Sequence, residues 1–187
     1  MREIIHLLQK PSRYLGTEIN SIHKDPSRIG VRVALAFPDI YEVGMSYIGQ
    51  RILYHQVNKH ENYWAERVFA PGLDAASVLR EKGCPLATLE SDTPLVDMDV
   101  LAFSLTHELC YTTILYMLDL ARIPLRSEQR KDAHPLVIAG GGSVFNAEPV
   151  APFFDCMVLG DGEEVLPELL QVVDRCKRAG MDRETLL

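Results

Sequence analysis

The chain has 187 residues, 47% of them hydrophobic and 24% charged, with a formal net charge of −7. That length supports one domain with a buried core and a short appendage. No Lys/Arg-rich block and no apolar run of membrane-spanning length occurs, and the start, MREIIHLLQKPSRYLG, lacks a long apolar signal region; nucleic acid and membranes are therefore not expected partners, and the expected location is cytoplasmic.

Residues 1–30 read as an arm, with a short helical pattern (Ile4, Ile5, Leu7, Leu8) followed by Pro11, Gly16 and a polar stretch to Gly30. Val31 to Phe37 is β-branched and apolar and predicts a strand, ended by Pro38-Asp39. A helix follows with Ile48, Ile52, Leu53 and Val57 on one face and Ser46 as its N-cap. Trp64 to Ala70 predicts a second strand, and Asp74 a cap for a helix over 75–82 that Gly83 stops. Val100 to Leu105 is the third strand, and Leu109 to Ala121 a helix apolar around much of its circumference. Leu136 to Ala139 and Cys156 to Leu159 are strands four and five. The last helix, Glu163 to Arg178, carries Leu166, Leu169, Leu170, Val173 and Cys176 on one stripe, and Pro167 is expected in its first turn.

Five strands alternating with helices predict an α/β three-layer sandwich: a five-stranded, mostly parallel sheet of Rossmann-like or flavodoxin-like topology, spanning residues 31–179. Residues 180–187 read as the start of a linker. The cysteines Cys84, Cys110, Cys156 and Cys176 have no C-x-x-C grouping and are expected as small core residues. His107-Glu108 is not a zinc-protease motif, since Tyr111 stands where the second histidine belongs. No triad or metal-ligand spacing appears among the six histidines, so catalysis by this chain alone is not expected.

In a parallel sheet, the loops after the strands gather at one edge, where ligands bind. Here they are residues 38–46, 104–109, 140–148 and 160–164. Gly140, Gly141 and Gly142 follow Leu-Val-Ile-Ala, and Gly160 and Gly162 follow Cys-Met-Val-Leu, letting the backbone approach a ligand closely. The triple-glycine run is neither a dinucleotide fingerprint, which would need glycine at Phe145, nor a Walker loop. Asp161, Glu163 and Glu164 at a helix start complement the helix dipole and disfavour a phosphate, so a neutral group is the better guest.

Four ordered segments carry a resemblance: PDIYEVGMSYIGQRILYHQVN, PLATLESDTPL, FSLTHELCYTTILYMLDLARIPL and VIAGGGSVFNAEPVAPFFDCMVLGDGEE. Together with the KPSRYLGTEIN arm they resemble the N-terminal region of radical S-adenosylmethionine proteins fused to a cobalamin-binding-like domain. The resemblance implies an accessory domain whose partner is a catalytic domain of the same polypeptide, which would hold the [4Fe-4S] cluster and S-adenosylmethionine. It implies cobalamin as the ligand of this domain and, as candidate binding residues, Asp39, Tyr41, Gly44, Ser104, Gly140, Gly141, Gly142, Ser143, Gly160, Asp161, Gly162 and Glu163. Asp39, Tyr41 and Gly44 align with the Asp-x-His-x-x-Gly pattern of such domains, with tyrosine at the position of the cobalt-ligating histidine. A neutral phenol is a poor ligand there, which argues against histidine-ligated cobalamin. The alternative reading is a flavodoxin-like regulatory or protein-interaction module, marked by exposed apolar surface near Tyr41, Tyr47 and Phe145. A self-contained hydrolase or dehydrogenase lacks any matching motif.

Overall fold

Five strands form the centre of the computed structural model, which describes residues 1–187: β1 (Val31–Phe37), β2 (Tyr63–Phe69), β3 (Val100–Ser104), β4 (Leu136–Gly140) and β5 (Cys156–Val158). All neighbouring pairs are parallel, in the order β2-β1-β3-β4-β5. The expected α/β three-layer sandwich is thus present, in the flavodoxin-like strand order.

The period-2 geometry of β1 divides its side chains between two cores. Val31, Val33 and Leu35 pack with Tyr54, Val57, Leu166, Leu170 and Val173 on one face. Ala34 and Ala36 turn to the other face, with Leu79, Ile114, Met117 and Leu118. Helices α2 (Ile48–Asn58) and α5 (Gly162–Ala179) therefore cover the first face, and α3 (Leu73–Lys82) and α4 (Tyr111–Leu120) the second. Both faces being dry explains why β1 reads as an unbroken apolar run from Val33 to Phe37, past the paired Arg32.

The arm wraps the free edge of β2, an edge that would otherwise present unpaired backbone groups. Lys24 Nζ donates to the carbonyls of Asn58, His60 and Tyr63, and Trp64 Nε1 donates to Ile22 O at 3.0 Å. On the same edge Leu89 N donates to Arg67 O and Arg67 N donates to Glu90 Oε2 at 2.7 Å. Every residue of β2 is consequently buried, although two are charged. Glu66 pairs with Arg32, and Arg67 with Glu90 and Glu18, so neither charge is left alone in the core.

Several local expectations are corrected. The arm forms 3-10 turns at Arg2–Leu7, Pro11–Tyr14 and Pro26–Arg28, too short and too proline-interrupted for an α-helix. Ser46 caps nothing: it ends a separate six-residue helix, α1 (Tyr41–Ser46), where its hydroxyl donates to Val43 O, and Tyr47 precedes α2. Asp74 lies inside α3, whose N-cap is Gly72, and its carboxylate accepts from Gln9 N. The segment 109–121 begins as a 3-10 turn before α4. Pro167 is the sixth residue of α5, beyond its first turn, because the helix starts at Gly162. Of the four cysteines only Cys110 is buried; Cys156 is exposed on the edge strand β5. Past α5, α6 (Arg183–Leu186) is tied back to the sheet by Arg183, which pairs with the fully buried carboxylate of Asp155.

Candidate functional site

The chain leaves β1 toward β2 on one side, and β3 then adds on the other side, which makes β1/β3 the switch point of the sheet. Loops leaving in opposite directions open a cleft there by construction. Its floor is Leu35, Ala102, Phe103, Ser104, Ile138 and Ala139. Its walls are Tyr47, Gly49, Gln50 and Leu53 from the α2 side and Gly160 to Glu163 with Leu166 from the α5 side. The enclosed volume is about 170 Å3, below the range of about 300–1,000 Å3 usual for sites that take drug-sized ligands.

The protein's own side chains narrow this cleft. Gln50, 2% exposed, donates from Nε2 to Leu35 O at 2.8 Å and so fixes α2 against β1. The Tyr47 ring lies 4.9 Å from that of Phe37. On the far wall Gly141 has φ +118 and ψ 178, and a Cβ there would stand 2.7 Å from Leu105 O. Only glycine combines that backbone shape with that approach. The close contact brings Leu105 N to Gly140 O at 2.7 Å and Ser143 N to Leu105 O at 3.0 Å, locking the two loops together.

Of the sequence candidates, Ser104, Gly140, Gly141, Gly160, Asp161, Gly162 and Glu163 converge on this cleft. Asp39, Tyr41, Gly44, Gly142 and Ser143 lie outside it. Asp39 accepts the N–H of Ile40 and shapes the turn into α1. Gly44 faces an open groove between the arm and α2; a Cβ there would come within 2.2 Å of the Phe69 ring, so this glycine serves packing between α1 and β2.

Tyr41 points toward the arm. Its hydroxyl donates to Glu18 Oε1 at 2.8 Å, and its ring meets Phe69 edge-on at 5.5 Å. Burial, then the hydrogen bond to the Glu18 carboxylate, push its phenol up to about 12. Burial works against ionisation of Glu18 too, but hydrogen bonds from its own backbone, Tyr41 and Ser21, with the charge of Arg67, outweigh it and hold its carboxyl below the usual range. The guanidinium of Arg67 on the groove floor is already taken by Glu18, Glu90 and Ser21. No histidine lines the cleft, and no three His, Cys, Asp or Glu side chains are grouped so as to hold a metal ion.

Tyr47, Gln50 and Leu53 are cleft residues that sequence reasoning missed. The apolar stripe of α2 marked Leu53 as core, while Gln50 carried the polar signature of a surface position.

The profile of the family described as "Radical SAM proteins, N-terminal" matches residues 49–187, most of the chain and all of the sheet beyond β1. The chain belongs to this family of radical SAM N-terminal domains. No curated protein matches the sequence. Among solved structures, the radical SAM N-terminal domain is similar to a putative pilus assembly-related protein from Burkholderia pseudomallei. The identity is 12% over 82% of this chain and 96% of that one, with a TM-score of 0.41.

Proposed function

We propose that this domain is the non-catalytic N-terminal module of a radical SAM iron–sulfur enzyme, retaining the sheet of a cobalamin carrier without holding a histidine-ligated corrinoid. Family membership supports the accessory role. The orientation of Tyr41 carries the rest. The residue at the ligand position is turned to the arm and bonded to Glu18, and it does not line the cleft.

The donor set does not fit a corrinoid held through the protein. An imidazole nitrogen binds cobalt as a neutral donor, whereas a phenol kept protonated at pH 7 offers only a weak oxygen. Gln50 and Tyr47 also occupy the α2 side of the cleft. The work left to the domain is to hold and present a surface to the catalytic domain, where the iron–sulfur cluster and S-adenosylmethionine chemistry would reside.

Titration of the purified protein with hydroxocobalamin tests this. The expected result is an unchanged visible spectrum and no pigment retained after desalting. Tyr41→His is expected to behave in the same way, because the new imidazole would face Glu18. Stoichiometric retention of cobalamin by the parent protein, or by Tyr41→His with the spectral shift of imidazole ligation, would overturn the proposal.

A further inference from the structure

The five strands all end at one edge, and every loop leaving that edge exposes a large apolar side chain. They are Ile48 after β1, Leu73 after β2, Leu109 after β3, Phe145 after β4 and Leu159 after β5, with relative exposures between 64% and 87%. Single exposed apolar residues need no explanation, but one on each of five neighbouring connections, with Ile48 and Leu73 opening α2 and α3, marks an interaction surface.

The charges of this edge are one-sided. Residues 38–50, 70–74, 104–111, 140–154 and 159–164 contain no lysine or arginine. They do contain Asp39, Asp74, Glu108, Glu148, Asp161, Glu163 and Glu164, none of which pairs with a cation. Glu42 is the exception, neutralised by Arg13 of the arm at 2.7 Å. The loops entering the strands at the opposite edge carry both signs, with Lys24, Arg28, Lys59, Arg122, Arg126 and Lys131 beside Asp25, Glu61, Asp97, Asp99, Glu128 and Asp132. The two edges thus differ in that the carboxyl edge has acids without cations, whereas the opposite edge mixes both signs. An apolar patch inside an acidic rim repels nucleic acid and anionic lipid, and it attracts a protein surface of the opposite pattern.

Resting on the accessory reading above, we propose that the carboxyl edge of the sheet is the docking face for the radical SAM catalytic domain of the same polypeptide. The domain would dock through an apolar patch ringed by lysine and arginine. Phe145 and Leu109, the most projecting apolar groups beside the cleft, are the anchors; the acids set orientation and encounter rate.

Binding of the 187-residue chain to that catalytic domain, measured by calorimetry over a salt series, tests the proposal. Affinity is expected to fall as ionic strength rises. Glu108→Lys combined with Glu163→Lys, and separately Phe145→Asp, are each expected to weaken binding by about tenfold or more. All three sites are at the surface, and circular dichroism would verify that the variants fold. Hydrogen exchange on the unmodified pair is expected to show protection in residues 104–111, 141–149 and 159–165. Binding that is indifferent to salt and to both variants, with protection elsewhere, overturns the docking face and leaves the accessory role standing. Complete absence of binding overturns the accessory role. A homodimer that dissociates in both variants, while catalytic-domain binding persists unchanged, overturns the proposed occupant.

Discussion

At the scale of single residues, side-chain direction decides more than identity does. Tyr41 occupies the position at which a cobalt ligand is expected, yet its ring is held by Phe69 and its hydroxyl by Glu18, 23 residues upstream. Its raised phenol pKa has a consequence for alkaline stability. The folded state keeps the proton more tightly than the unfolded chain, so this stabilisation is complete below pH 10 and is lost as pH rises from about 10 to about 12. Tyr41→Phe is expected to show a shallower loss of stability over that window in urea titrations. An unchanged slope would mean the Tyr41–Glu18 bond does not persist in solution. Gly141 is held as firmly, by its backbone. Gly141→Ala is expected to cost about 1–3 kcal/mol from conformational strain alone, with the contact to Leu105 O adding to it. Thermal denaturation would measure this, and a variant as stable as the parent would contradict the loop geometry.

At the scale of elements, the apolar stripe of α5 was legible, that of α2 only at Leu53 and Val57, since Ile48 and Ile52 of the expected face are exposed, and the element ends were not. Leu166, Leu170 and Val173 recur at helical spacing and all reach the core shared with β1. Leu170 is fully buried, so Leu170→Ala is expected to destabilise the protein by about 2–5 kcal/mol, read from the shift in urea midpoint at constant slope. A loss below 1 kcal/mol would mean that α5 does not pack as described. The helix starts were misread for a shared reason. Ser46 and Asp74 are good capping residue types, but the turns into α2 and α3 are set by Tyr47 against Phe37 and by Asp74 bonding the arm at Gln9. Capping preference is worth about 1 kcal/mol, and tertiary packing overrides it. The cysteines follow the same pattern: residue type suggested burial, while the edge placement of β5 leaves Cys156 in solvent.

At the scale of the whole molecule, the gathering of cation-free loops at one edge arises from connectivity. Each loop is a short and unremarkable stretch of sequence; only a parallel sheet brings all five to one edge, where their apolar and acidic residues add up. The salt dependence and charge-reversal effects expected for docking belong to this scale, since no single loop carries enough charge or area. The cleft has the same origin. Ser104, Gly140 and Gly160 could be assigned to one crevice from strand order alone, but Gln50 and Tyr47, which narrow it, come from a helix whose rotation the sequence does not specify.

The sequence by itself determined the sheet, its parallel sense, the helical stripes and the edge at which loops converge, because burial on both faces and the periods of strand and helix are local properties of the chain. The tertiary structure alone decided that Tyr41 turns from the cleft to the arm, that β2 is sealed by Lys24 and Glu90, and that one edge exposes apolar groups among acids without cations. Those outcomes depend on contacts between residues such as Tyr41 and Glu18, 23 positions apart, or Lys24 and Tyr63, 39 apart, where packing and charge pairing, and no local preference, choose the arrangement.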